Sequence, residues 1–226
     1  MIRAFSCTFF AMCNDVTFRR VGVPDLPAVG EFLLQHFHPD EPMFNMLEMS
    51  LDDIIVSDHF TLKDELGHDA AIGAFCGGEL CGVVICVVGK QDYEGTVLNP
   101  HNHPKSLIEG RFYEEMLKIA ADHLESEDNL IIEYLAVHPD HRRREIAKKL
   151  TKKCELLAKE YNCKHVVCIA TSVYTQNILR NLEYSVARTV LHSDYVDPKT
   201  KEKPFKAFLP HLDTRIMYKY TVPLLQ

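Results

Sequence analysis

Two stretches of this sequence carry side chains whose types and spacing could do chemistry. The first is His141-Arg142-Arg143-Arg144, a basic turn between an apolar run, residues 130–137, and a segment whose Ile146, Leu150, Cys154, Leu157 and Tyr161 fall on one helical stripe. Free N–H groups and the positive dipole end of a helix favour an anion at such a place, and a phosphorylated ligand is the natural guest. Read without that ligand, the turn is an ordinary solvated surface. The second is His101-Asn102-His103, inside the polar, proline-bearing stretch 89–106. Two histidines two apart could hold a metal, but no third ligand stands nearby, and a solvated loop with no metal is expected. The eight cysteines form no Cys-x-x-Cys pair, so zinc is not expected either. Cys86 and Cys168 lie inside apolar runs, where a free thiol behaves as a small hydrophobe; that usage suits a reducing, cytoplasmic compartment. Neither a Walker lysine pattern nor Gly-x-Gly-x-x-Gly occurs, which argues against nucleotide hydrolysis and a dinucleotide fold.

The elements that must position these residues can be read from periodicity. Residues 16–21 alternate as a strand, and Leu26, Val29, Phe32, Leu33 and Phe37 then recur at helical spacing. Pro39 should stop that helix at Phe37 or His38, which leaves Asp40, Glu41 and Pro42 on a turn. A second helix is expected over 51–67, supported by Ile54, Ile55, Phe60 and Leu62. Two β-rich runs, 71–75 and 80–88, are joined through Gly77-Gly78 as a tight hairpin. Residues 107–124 make an amphipathic helix, the run 130–137 a strand buried on both faces though interrupted by Glu133, and 165–170 another buried strand. Strand, helix and strand with such short connections predict a parallel βαβ unit, whose ligands bind beyond the carboxyl ends of the strands.

With 226 residues, 46% of them hydrophobic, the chain can bury one substantial core. Its 25 basic and 32 acidic residues give a formal charge of −7, which offers no general attraction for nucleic acid or anionic membranes and suits cationic small molecules. No apolar stretch approaches the roughly 20 residues of a membrane-spanning helix. Residues 1–13 read as a flexible tail or a poor targeting segment, the tail being the expectation, with a single domain over 14–226 and a monomeric state.

The segment Leu135-Ala136-Val137-His138-Pro139-Asp140-His141-Arg142-Arg143-Arg144-Glu145-Ile146-Ala147 resembles the coenzyme A-binding segment of GNAT acetyltransferases, Arg/Gln-x-x-Gly-x-Gly/Ala after a strand, matched at Arg142 and Ala147. Asp40-Glu41-Pro42-Met43 resembles the Asp-Glu-Pro-Leu motif of the insect-type arylalkylamine N-acetyltransferases. The tail is similar to the same relatives through Asp194-Tyr195-Val196-Asp197, Phe205, Pro210-His211 and a final strand over 215–220. The likeness spans roughly residues 16–220.

The resemblance implies an α/β fold with a twisted mixed sheet of about seven strands, helices on both faces and a splayed parallel strand pair. It implies acetyl-coenzyme A as cosubstrate, its pantetheine arm along residues 133–137, with Leu135, Ala136 and Val137 in contact. The pyrophosphate would lie over Arg142, Arg143, Arg144, Glu145, Ile146 and Ala147, and Asn177 is a further contact. Glu41 is the implied general base for a small primary amine, an arylalkylamine such as dopamine, tyramine or serotonin, or a polyamine. Thr171 and Thr175 stand where the relatives have two serines four residues apart, and Tyr174 is the implied acid for the departing thiolate. From the residues alone, Ser172 and Thr175 read equally well as helix caps. Pocket shape is expected to come from the loops after Phe37, over 89–106 and over 195–210. Two departures introduce carboxylates where the family has glycine: Glu145 in the phosphate turn, expected to lie along the helix towards Lys149, and Glu183 in Leu182-Glu183-Tyr184. They keep open a second class of function, a degenerate relative that binds acyl-coenzyme A or a protein without catalysis.

Overall fold

The computed structural model describes residues 15–89, 103–126 and 128–221. Strands β1 (Val16–Val21), β2 (Ala71–Cys76), β3 (Glu79–Val88), β4 (Asn129–Val137), β5 (His165–Ala170), β6 (Ser185–Leu191) and β7 (Asp213–Tyr220) form one sheet in the order β1-β2-β3-β4-β5-β7-β6. All neighbours are antiparallel except β4 and β5, the parallel pair of the predicted βαβ unit. Gly77 and Gly78, at φ 62° and 89°, take the left-handed backbone that the β2–β3 turn requires.

Six helices are described: α1 (Leu26–His36), α2 (Pro42–Met46), α3 (Leu51–Gly67), α4 (Pro104–Leu124), α5 (Ile146–Glu160) and α6 (Val173–Asn181). Alternation along the strands distributes them over two faces. Ala71, Val83, Ile85 and Ala136 pack against Val29, Phe32 and Leu33 of α1 and Leu62 and Leu66 of α3. Ile72, Val84, Cys86 and Leu130 face the opposite way, onto Ile146, Leu150, Cys154 and Leu157 of α5. On the α1 side, further along the sheet, Phe112 and Met116 of α4 cover Ile131, Val167, Ile169 and Ile216. The helices α3 and α5 and the β2–β3 hairpin lie within a residue or so of their predicted bounds. The α4 helix starts at Pro104, three residues early, and of the histidine triplet His101 and Asn102 fall outside the described residues. His103 Nδ1 lies 3.5 Å from an oxygen of Asp53. No described helix is long and apolar enough to cross a membrane.

Two features differ from the periodicity reading. The turn after α1 continues as the short helix α2, and residues 185–191, which had no strand pattern, form edge strand β6. Both have physical causes. Five residues are too few to display a helical period. An edge strand with Val186 and Leu191 each 47% exposed has no reason to alternate. The segment 195–205 packs behind α4 rather than at a pocket mouth: the Phe112 ring lies 4.8 Å from Tyr195 and 5.1 Å from Phe205, both edge-on.

This segment is fastened to α4 by an ion pair. Asp197, fully buried, accepts from Arg111 Nε at 2.7 Å and Nη2 at 2.8 Å, and from the Thr200 N–H at 3.1 Å. The Arg111 guanidinium holds the Asp197 carboxyl well below the usual carboxylate range. A depressed native pKa contributes stability that is present above the unfolded value, about 3.9, and is lost as pH falls towards the native one. Replacing Arg111 by Met leaves a buried uncompensated carboxylate, and a loss of about 3–5 kcal/mol is expected by urea unfolding at pH 7. The loss should shrink in the same measurement at pH 3, where the unfolded-state reference is itself protonated.

Candidate active site

The site is set by where β4 and β5 stop pairing. Their parallel partners run Asn129 with His165 to Ile132 with Cys168 and end there, although β4 continues to Val137 and β5 to Ala170. At the same place the register against β3 breaks: Ile85 pairs with Tyr134 but Cys86 with Ile132, so Glu133 is one extra residue on β4. A bulge of this kind reverses side-chain parity. Ile132 and Leu135 pack on the α5 side, while Glu133 and Tyr134, in sequence neighbours, both face the α1–α4 side. Beyond the bulge, the β5-facing edge of residues 133–137 has no strand partner among the described residues.

A cavity of about 280 Å³ opens at this fork. Leu135, Glu133 and Tyr134 line it from β4, Cys168 to Thr171 from the end of β5, Thr175 from α6, and Tyr113 and its neighbours from α4. Phe37, Glu41, Met43 and Phe44 close it from the α1–α2 connection. The ring of Phe37 lies 5.1 Å from Tyr134, and His38 stacks on Phe44 at 5.3 Å, so aromatic surface flanks the carboxylates.

Glu41 is placed by its role as N-cap of α2, where its side chain accepts from the Met43 N–H at 3.1 Å. Pro42 fixes the first helical position. Burial pushes the Glu41 carboxyl up, while the Met43 N–H and the Thr171 hydroxyl, both donating to it, pull the other way. Thr171 follows the tip of β5, where buried Gln176 donates from Nε2 to Ala170 O at 3.0 Å and to Asp213 O at 3.0 Å. Of the two cap candidates, Ser172 is the N-cap of α6, accepting from the Tyr174 N–H at 3.3 Å, and Thr175 lines the cavity instead. Tyr174 is 65% exposed and stands beside His211, with ring centroids 5.5 Å apart, outside the cavity lining. Asn177 accepts from Arg180 on the same helix.

The structure therefore brings Glu41, Thr171, Thr175 and Leu135 together. Ala136 turns into the core beneath α1, while Val137 ends the strand. Beyond it, Arg142 donates from Nε to Val137 O at 3.2 Å and from Nη2 to Asp40 at 2.6 Å, so it ties the basic turn to the residue preceding Glu41. Arg144 Nη1 lies 2.8 Å from His141 Nδ1, and Arg143 is exposed. The helix α5 starts at Ile146 and Ala147 with no side-chain cap, so its first N–H groups face the turn. Unpaired strand edge, uncapped helix end and basic turn are the donor set that a pantetheine arm and its pyrophosphate call for.

Glu145 corrects one expectation. Its carboxylate pairs with Lys148 at 3.1 Å, one residue nearer than Lys149, because a left-handed backbone at φ 60° aims the side chain at the first turn of the helix. Glu183, the other carboxylate at a family glycine position, likewise sits at φ 65°. Periodicity missed Glu133 and Tyr113, whose hydroxyl donates to Glu133 Oε2 at 2.6 Å. The available signal was a charged residue in a run buried on both faces.

The family model of the Acetyltransferase (GNAT) family matches residues 32–180. Among solved structures, arylalkylamine N-acetyltransferase 2 from Aedes aegypti is 25% identical, with 92% of this chain and 99% of that chain covered and a TM-score of 0.77. Drosophila melanogaster polyamine N-acetyltransferase is 19% identical over 91% of this chain and 100% of that one, with a TM-score of 0.72. The C-terminal condensation domain of Ebony, solved with beta-alanyl-dopamine, is 13% identical over 92% and 99%, with a TM-score of 0.79. A search of curated proteins by sequence gave no match.

A side chain at φ near +60° is strained, and glycine removes the strain. Glu145→Gly is expected to raise the melting temperature by about 2–4 °C, since the exposed pair with Lys148 that it deletes contributes little. Calorimetry of the two proteins checks this.

Proposed function

The chain belongs to the acetyltransferase (GNAT) family, and from that premise we propose that it moves an acetyl group from acetyl-coenzyme A to the nitrogen of a small primary amine. The observation that carries this reading is the convergence of Glu41 and Thr171 on one cavity at the mouth of the β4–β5 fork. Acetyl-coenzyme A supplies the activated thioester. The edge of residues 133–137 would hold the pantetheine arm, with the N–H groups of that edge available to the thioester carbonyl. Arg142 to Ala147 at the start of α5 would hold the pyrophosphate.

The amine arrives as an ammonium, with a pKa on the order of 10, and has no lone pair until a proton is removed. Glu41 takes that proton. Its place between Phe44, Phe37 and the tip of β5 raises its proton affinity, and Thr171 holds the carboxylate towards the fork. Thr175 keeps the hydroxyl of the serine it replaces in the resembled family and narrows the same wall with an added methyl. Tyr174, the implied acid for the departing thiolate, packs beside His211 at the start of α6 and outside the cavity lining, so the thiolate can leave without it. Aromatic and acidic walls suit an arylalkylamine or an aliphatic polyamine, and relatives named for each share the fold.

The competing reading, an acyl-coenzyme A-binding relative without catalysis, rests on Glu145 and Glu183 at family glycine positions. The pairing of the Glu145 carboxylate with Lys148 along the outside of α5 supports a phosphate turn open to its ligand.

Thiol release from acetyl-coenzyme A, measured over a panel of primary amines, tests the proposal. Turnover is expected, and Glu41→Gln should lower kcat by about 10²–10⁴-fold with an unchanged melting temperature. Calorimetric binding of acetyl-coenzyme A with no turnover on any amine would instead establish the binding relative.

A further inference from the structure

The chain carries a formal charge of −7, yet its cations are unevenly spread. Residues 142–160, which make up the basic turn and α5, hold eight of the 25 basic residues and only three of the 32 acidic ones. All three acids are engaged within the molecule: Glu145 pairs with Lys148, Glu155 with Lys219 and Glu160 with Arg20. Lys148 holds the Glu145 carboxyl below its ordinary range, and Lys149 and Lys152 act on it in the same sense. Arg143, Lys149 and Lys152 are exposed, and none of them has a carboxylate within ion-pair distance among the described residues.

A solvated helix face that mixes both signs has little net field. The outer face of α5 keeps one sign. Lys149, Lys152 and Leu156 follow at spacings of three and four and share one stripe of it, opposite the stripe of Ile146, Leu150, Cys154 and Leu157 that packs on the sheet. Leu156 is 62% exposed, a single apolar side chain set among cations. The strip starts at the phosphate turn and runs on to Lys159, about 20 Å along the helix from Ile146. The turn itself meets a pyrophosphate, so the lysines further along face something larger. Exposed cations around one apolar anchor suit an acidic protein surface, which charge steers and apolar contact holds. An anionic membrane asks for a broad apolar face, and that of α5 is spent on the sheet. A nucleic acid, extended and uniformly anionic, would meet the acidic remainder of the chain.

The phosphopantetheine arm that ends coenzyme A has a second chemical form, in which its phosphate is esterified to a serine of a small acidic carrier domain instead of to the nucleotide. We propose that the outer face of α5 docks such an acyl carrier protein, whose arm passes the turn of Arg142 to Ala147 into the β4–β5 fork and delivers the acyl group as a protein-bound thioester; the inference rests on the acetyl-transfer reading. Fork edge, turn and cationic strip follow one another along the chain, from residues 133–137 through 142–147 to 149–159. An arm laid along the first two with its phosphate at the turn leaves its protein over the third. The transfer keeps its balance. The amine nitrogen bonds to the acyl carbon, and the C–S bond breaks with its electron pair on sulfur. The ammonium gives up two protons, of which one ends on the carrier's thiolate and the other in solvent.

The experiment measures amide formation from 2-phenylethylamine with three donors: acetyl-coenzyme A, S-acetyl-4′-phosphopantetheine and a bacterial acyl carrier protein loaded with acetyl. It compares the unaltered protein, the double variant Lys149→Glu with Lys152→Glu, and Leu156→Gln. At low salt kcat/KM for the loaded carrier is expected to exceed that for the free arm by about 10–100-fold. The advantage should fall as ionic strength rises, vanish in the double variant and shrink in Leu156→Gln. The free arm, with its phosphate at the turn, should be used within about twofold by all three proteins, which shows that each variant is folded with its fork intact. A loaded carrier no better than the free arm would overturn the inference, as would an advantage that survives the charge reversal. So would binding to phosphatidylserine vesicles, lost in the double variant, with no preference for the carrier, which would assign the strip to a membrane. No transfer from any donor would sink the acetyl-transfer reading and this inference together, whereas transfer from acetyl-coenzyme A without a carrier preference sinks the inference alone.

Discussion

The structure of the site depends on a register conflict in β4. One extra residue, Glu133, stands against β3 where the pairing of β4 with β5 ends. A strand cannot keep both neighbours in step across such an insertion, so the ladder to β3 continues with reversed parity and the ladder to β5 is given up. The backbone groups released by the second event would be costly if buried without partners, and they gain their use only from a ligand that pairs with them. The same insertion turns two successive side chains, Glu133 and Tyr134, to one face and so places a carboxylate and an aromatic ring at the fork. The break is held open from both sides. On one, α5 packs Ile146 and Leu150 against β3 and β4, close enough that a Cβ at Gly82 would meet Ile146 at 3.0 Å. On the other, α4 packs Phe112 and Met116 onto β4 and β5 and is itself anchored through Arg111 and Asp197.

How much of this was legible in the residues follows from where each feature leaves a periodic trace. The helices α1, α3, α4 and α5 were readable because each buries one stripe and exposes the other. The βαβ unit was readable because two apolar runs flank such a stripe at short distance. The bulge was not. A strand buried on both faces has no alternation to interrupt, so the parity reversal at Glu133 changes no pattern; Glu133 itself registers only as a charge in an apolar run. Edge strand β6 failed for the opposite reason, since most of its side chains stay in solvent. Glu41 shows a third case. In the sequence it is one acid on a proline turn, and its value comes from the N-cap geometry that bends it back over Met43 towards Thr171, a contact 130 positions distant along the chain that no local pattern encodes.

The two glutamates at family glycine positions show the cost of using an ordinary side chain where the backbone is left-handed. Glu145 and Glu183 end tight turns at φ 60° and 65°, at the start of α5 and after α6. The fold retains the glycine-type backbone at both, so the turn geometry is dictated by packing around it rather than by the residue at its hinge. At Glu145 the consequence is favourable to an anion. The left-handed conformation that strains the residue also swings its carboxylate onto Lys148, out of the turn that Arg142 and the first N–H groups of α5 define.

The charge pattern of the cavity then constrains what can enter it. Its acids are Glu41 and Glu133, with Glu65, Glu109 and Glu114 along the walls, and its one arginine is neutralised by Asp197. Burial raises the proton affinity of both Glu41 and Glu133, against the hydrogen bonds that Met43, Thr171 and Tyr113 donate to them. A cation beside such carboxylates would favour their ionised forms, by charge and by hydrogen bonding. Aromatic rings at Phe37, Phe44 and Tyr134 supply apolar surface around the cation without adding competing charge. The lining thus sets negative charge next to apolar bulk, and the acidic balance of the whole chain adds a field of the same sign at longer range.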